Sequence, residues 1–134
     1  MAANITPIFP KGPTGKTRVA ISTANTNRDG TGTIVDVTDV AGADGAQVDG
    51  VQIKGTVTTT AGMVRFYIYD GTNWAFYDEV IVTAITVGAA VEAFEAYWTP
   101  PGGVLRLAQN YKLGAAPHNA EAFHLRADIS TLTG

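Results

Sequence analysis

Apolar and polar residues alternate with a period of two along most of this chain, and glycine-rich polar turns cut the alternation into short segments. Residues 19–23, 31–38, 47–54, 63–70, 74–83, 91–98, 104–107 and 123–129 each read as extended chain, because a strand sends successive side chains to opposite faces. In the last of these Phe123, Leu125, Ala127 and Ile129 make one face, and His124, Arg126 and Asp128 the other. Thr33, Val35 and Val37 repeat the pattern, as do Val51 and Ile53 against Gln52 and Lys54. No segment has the spacing of a long amphipathic helix. Short strands bounded by turn residues predict an all-β fold, a single jelly-roll-like β-sandwich over residues 18–134.

The clearest pair is the hairpin of 63–70 and 74–83, joined by Asp70-Gly71-Thr72-Asn73, whose glycine and asparagine accept the positive φ of tight turns. Strict alternation puts Val64, Phe66, Ile68, Phe76, Val80 and Val82 toward a core. It leaves Arg65, Tyr67, Tyr69, Tyr77 and Glu79 on the opposite face, which is more aromatic than a solvated sheet requires. Tyr67, Tyr69, Trp74, Tyr77 and Trp98 therefore form a candidate partner-binding face, in which Trp74, Tyr77 and Trp98, with Tyr97, could make either a sugar-stacking platform or the centre of a protein interface. The plainer alternative is that Trp74 and Trp98 close the ends of the core.

Residues 1–17 differ from the body. Pro7, Pro10 and Pro13 forbid helix and deny donors to a central strand, so this segment is an extended N-terminal arm. Ile5, Ile8 and Phe9 give it an apolar side, and it has two natural fates: packing across its own sandwich, or reaching a neighbouring subunit. The second would make these three residues partner-binding.

Composition narrows the function. The 134 residues are the size of one domain, 46% hydrophobic and only 16% charged. A net charge of −3 with scattered basic residues argues against nucleic acid as a partner. The chain has no cysteine, hence no disulfide, thiolate metal site or thiol nucleophile. It shows no secretion signal and no run long enough for a membrane span, which predicts synthesis in the cytoplasm and no membrane partner.

Two segments imitate ligand-binding motifs. Gly15-Lys16-Thr17 ends like a phosphate-binding loop, but the motif's first glycine falls on Pro10 and a strand, not a helix, follows. Asn25, Asn27, Asp29, Gly30 and Asp36 have the spacing of a calcium loop, with Asn25 in place of the first aspartate and Asp36 in place of the closing glutamate. They form a weak calcium candidate, and a polar turn whose side chains bond local backbone is the competing reading. His118 and His124 lack the pairing of a metal oxygenase, Ser22 and Ser130 lack a nucleophile-elbow context, and Asp78 and Glu79 are neighbours on one strand that point apart. These patterns predict no enzyme, no resident metal and no cofactor.

One resemblance adds to this. The opening residues 1–11 (MAANITPIFPK), then Thr23-Ala24-Asn25-Thr26, Asp29-Gly30-Thr31-Gly32-Thr33 and Ala41-Gly42-Ala43-Asp44-Gly45, resemble small virion proteins of tailed phages and prophages. The resemblance covers roughly the first third of the chain, to Ile53, and the aromatic hairpin departs from it. It implies a capsid decoration, or cement, protein: a structural protein on the virion surface, made in the host bacterial cytoplasm. Its partner would be the major capsid protein or another virion protein. Shell symmetry would favour a homotrimer. The alternative is a carbohydrate- or receptor-binding β-sandwich of a phage tail or fibre, stacking sugars on Trp74 and Trp98.

Overall fold

The structure is a computed structural model that describes residues 9–14 and 18–133. Ten strands follow in order: β1 (Phe9–Thr14), β2 (Val19–Ile21), β3 (Val35–Asp36), β4 (Ala46–Gly55), β5 (Gly62–Tyr69), β6 (Trp74–Val82), β7 (Glu95–Trp98), β8 (Leu105–Leu107), β9 (Lys112–Pro117) and β10 (Phe123–Thr133). No helix occurs among the described residues.

The strands make two antiparallel sheets. In the first, β10 and β4 lie at the centre. Its two outer strands are each broken in two: β1 and β2 run along β10, while β7 and β8 run along β4. The second sheet has the order β3-β9-β5-β6. Counting each broken edge as one strand gives four strands per sheet. The chain alternates between sheets except at the β5–β6 hairpin, and this is the double Greek-key order of a jelly roll. The all-β sandwich expected from the alternation is the fold observed.

Why these residues face inward is visible in β4. Val51 and Ile53 alternate as expected, but Val48 is also buried, three positions before Val51. A bulge resolves the mismatch: Asp128 pairs with Gly50 and Ile129 with Val48, so Asp49 is an extra residue that restores the inward direction. Val48, Val51, Ile53, Phe123, Leu125 and Ile129 then meet Val64, Phe66, Val82, Leu113 and Ala115 across the sandwich.

Two strands were not expected. β9 falls outside the alternating segments because Gly114-Ala115-Ala116-Pro117 carries no strand propensity. It is an inner strand of the second sheet, paired to both β3 and β5. Both its faces are covered at close range, which small residues permit and large ones would prevent. β1 holds two of the arm's prolines and is an outer strand, the position where a missing N–H costs least. Conversely, residues 31–38 shrink to the two-residue β3, because residues 31–34 belong to a segment that crosses the second sheet.

The sheets are joined across one open side by Trp98. Its indole stacks on Phe66 at 4.0 Å and 15°, receives Tyr77 edge-on at 5.9 Å, and donates from Nε1 to Asp78 Oδ2 at 2.8 Å. We expect Trp98→Ala to destabilise the fold by about 3–5 kcal/mol and Trp98→Phe by less, read as the change in urea midpoint. A shift within error for Trp98→Ala would exclude this role.

Candidate functional site

The proposed aromatic face must be rebuilt from the register of β5 and β6. Phe66 pairs with Asp78, but Tyr67 pairs with Phe76, so Tyr77 is an extra residue in β6. The bulge reverses the first half of the strand relative to strict alternation. Tyr77, expected outside, packs against the core beside Trp98; burial, then the charge of Asp78, pushes its hydroxyl pKa up. Phe76, expected inside, sits on the outer face and meets Tyr67 edge-on at 6.0 Å. Nothing in the local residue types marks the bulge, which the Trp98 contact makes useful.

The outer face of the second sheet is not open either. Residues 22–34 cross it as a strap, and Arg65 and Tyr67, both expected to face solvent, are completely covered. Tyr67 donates its hydroxyl to the Asn27 carbonyl at 2.8 Å, and burial raises its pKa. Arg65 Nη1 donates to the Asn25 carbonyl at 2.9 Å, and Nη2 meets His118 Nδ1 at 3.0 Å. Arg65 Nε lies 3.3 Å from Glu79 Oε1, close enough for an ion pair but not aimed for a hydrogen bond. The pairing is therefore one of charge only at that atom. Glu79 is shared, because Arg28 on the strap also donates to it at 3.2–3.3 Å.

The calcium candidate lies within this strap except for Asp36, and several of its side-chain atoms bond inside the turn. Asn25 Nδ2 donates to the Thr31 and Thr33 carbonyls at 3.0 and 3.1 Å, and Asn25 Oδ1 accepts from Asn27 N–H. Asn27 Nδ2 donates to Thr31 Oγ1. Asp29 accepts from the Thr31 hydroxyl and N–H, hydrogen bonds that hold its pKa below the usual value. Asp36 belongs to β3, where Lys112 Nζ reaches it at 3.0 Å. This is the geometry of a polar turn that pins a loop. Two glycines let it close: Gly32 at φ 90° under the Asn25 amide, and Gly30 at φ 85°, where a Cβ would lie 2.1 Å from the Trp74 carbonyl oxygen.

The remaining aromatics divide between locations. Tyr69 and Trp74 are half-buried neighbours on the strapped face, ring centres 5.1 Å apart, with Lys112 Nζ 4.9 and 5.5 Å from them. Trp74 lies against Gly114, where a Cβ would come within 2.6 Å of the indole. Trp98 is buried between the sheets, so the two tryptophans share no stacking surface. Of the arm residues, Ile5 and Ile8 lie outside the described residues, and Phe9 enters only through its backbone pairing with Thr133.

The open face of the sandwich is that of the first sheet, and it presents Tyr97, one of the aromatics that the sequence offered for a stacking platform. Tyr97 is 54% exposed with its ring over Gly50, where a Cβ would meet it at 2.4 Å. Its hydroxyl donates to Asp128 Oδ2 at 2.6 Å, a bond to a carboxylate that, with burial, pushes its pKa up to about 12. The tyrosine was visible in the sequence, but its pairing across two strands to Asp128 was not. His124 lies on the same face opposite Lys54. Among the described residues no three His, Asp or Glu side chains converge as metal ligands, and no helix is long and apolar enough to cross a membrane.

No family model and no curated protein matches the chain. Among solved structures, the crystal structure of a pentameric capsid protein from metagenomic phage sequences is similar over 85% of this chain, at 12% identity and a TM-score of 0.42. This chain spans 61% of that protein. At that distance the likeness carries no statement about function.

Two outcomes test the geometry. Gly114→Ala forces the indole of Trp74 and the side chain of Ile34 to move, and should cost about 1–3 kcal/mol with a shift in tryptophan emission. Tyr97→Phe should cost about 1 kcal/mol or less, since the pair is solvent-accessible. Because the folded pKa of Tyr97 lies above its ordinary value of 10.0, that contribution is whole below pH 10 and is lost as pH rises toward about 12. Stability of the two proteins against pH reads this directly; a constant difference through that window would exclude the Tyr97–Asp128 bond.

Proposed function

We propose that the chain is a non-enzymatic structural virion protein, a decoration protein that binds an assembled phage head and stabilises it. The observation that carries this reading is the jelly-roll strand order, a framework used in capsid and lectin domains. By itself such an analogy leaves function open. It gains direction from the resemblance of the first third of the chain to small tailed-phage virion proteins. The chemistry of the side chains agrees: the histidine, carboxylate and tyrosine groups that suggested a site are mostly spent on holding loops and sheets together.

In this reading the partner is the major capsid protein or another virion protein, and the apolar arm side of Ile5, Ile8 and Phe9 makes the contact. Repetition of the contact over a symmetric shell multiplies a weak single attachment. A homotrimer suits the local threefold points of such a shell. The tail-fibre alternative relied on paired, exposed tryptophans. Trp98 is buried and Trp74 is half-covered under the strap, so it loses its platform.

Deleting residues 1–10 is the test. β1 would keep its pairings from Gly12 to Thr14, so the truncated chain should remain folded, with a melting temperature within a few degrees of the parent. Its occupancy on purified heads lacking the protein should be lost. Unfolding of the truncated chain, with normal occupancy by the fraction that stays folded, would place the arm in its own core and end its assembly role.

A further inference from the structure

The contact between Arg65 and His118 constrains both protonation and structure. A guanidinium has only N–H donors, so His118 Nδ1, 3.0 Å from Arg65 Nη2, must be the acceptor and carry no proton. A protonated imidazole has a donor at each nitrogen and no orientation in which it accepts. Arg65 is 1% exposed, so it has no water to turn to. The same guanidinium holds the Asn25 carbonyl, and Asn25 anchors the strap through Thr31, Thr33 and Pro117.

We propose that His118 is a proton-operated clasp: acidification puts N–H against N–H at Arg65, and the strap over residues 22–34 lets go of the second sheet. The charged groups around the contact favour release. Arg65 on β5 and Arg28 on the strap are both cationic and already share Glu79 of β6. Glu121, on the same loop as His118, is engaged by the Thr60 hydroxyl and N–H, and Asn119 by Thr60 and Ala61. Asp29 at the strap tip is bound to Thr31. No carboxylate among these directly contacts the His118 ring. Release would uncover Arg65, Tyr67 and Ala116, which are buried in the structure. The device does not depend on the virion reading.

The experiment is amide hydrogen exchange of residues 25–33 in the full chain, corrected for intrinsic rates, from about pH 7.5 down to about pH 5.5, the range in which imidazoles change charge. One coupled proton allows up to about a tenfold loss of protection per pH unit, and a loss of that kind confined to the strap is expected. His118→Asn keeps an acceptor oxygen near the Nδ1 position but does not titrate, so its strap should stay protected across the range. His124→Gln should behave as the parent. If His118→Asn does not fold, nitrogen NMR of the parent decides: His118 must lose its Nδ1-acceptor tautomer along the same curve as strap protection. Unchanged protection in the parent overturns the proposal. So does an equal pH response in His118→Asn, or a loss that begins only below about pH 5, where carboxylates and not an imidazole take up protons.

Discussion

A cation without solvent organises half of this molecule. Burying a guanidinium is expensive unless its donors are met, and removing one partner of such a group costs more than the pair contributes. Arg65 meets most of the requirement with groups from three different places: it hydrogen-bonds a strap carbonyl and a loop imidazole, and the carboxylate of Glu79 balances its charge. Glu79 is its cross-strand neighbour in the hairpin, but the strap carbonyl and the imidazole come from 40 and 53 residues away. The strap therefore lies where it does because the sheet beneath carries a charge that needs its backbone. The small residues of β9 and the glycines of the strap follow from the same constraint, since the layers must approach closely for those bonds to form.

The inner side of the same sheet solves a different problem. Two sheets packed face to face leave open sides, and on one of them Trp98 closes the gap by stacking on Phe66. The bulge in β6 brings both Tyr77 and Asp78 to that indole, one as a ring edge and the other as an acceptor. A single inserted residue thus aims two side chains, at the cost of turning Phe76 to the outside. With aromatics committed in this way on both sides of the sheet, the polar face around Tyr97 is the side of the sandwich where a large aromatic stays exposed among the described residues. The decoration role proposed above would need little more chemistry than that: a rigid body and an attachment that a shell repeats many times.

The alternation of apolar residues, with no amphipathic helix pattern beside it, determined that the chain is a β-sandwich, because a two-residue period in β4 or β10 leaves a strand one dry face that helices or a second sheet must cover, and here a sheet does. It also determined the β5–β6 hairpin, whose Asp70-Gly71-Thr72-Asn73 turn is a local property of the backbone. Only the tertiary structure decided which face of that hairpin is buried at Arg65 and Tyr67, because the strap that covers them arrives from some 40 residues away. It likewise decided that Gly114-Ala115-Ala116-Pro117 is a strand, since its small residues are favoured by neighbours on two sides and not by any propensity of their own. The bulge at Tyr77 belongs with these: a one-residue shift in register leaves almost no trace in composition, yet it inverts every side chain up to the turn. Period and turn chemistry are local and can be read along the chain; coverage, register and charge pairing are distant and exist only once the sheets have met.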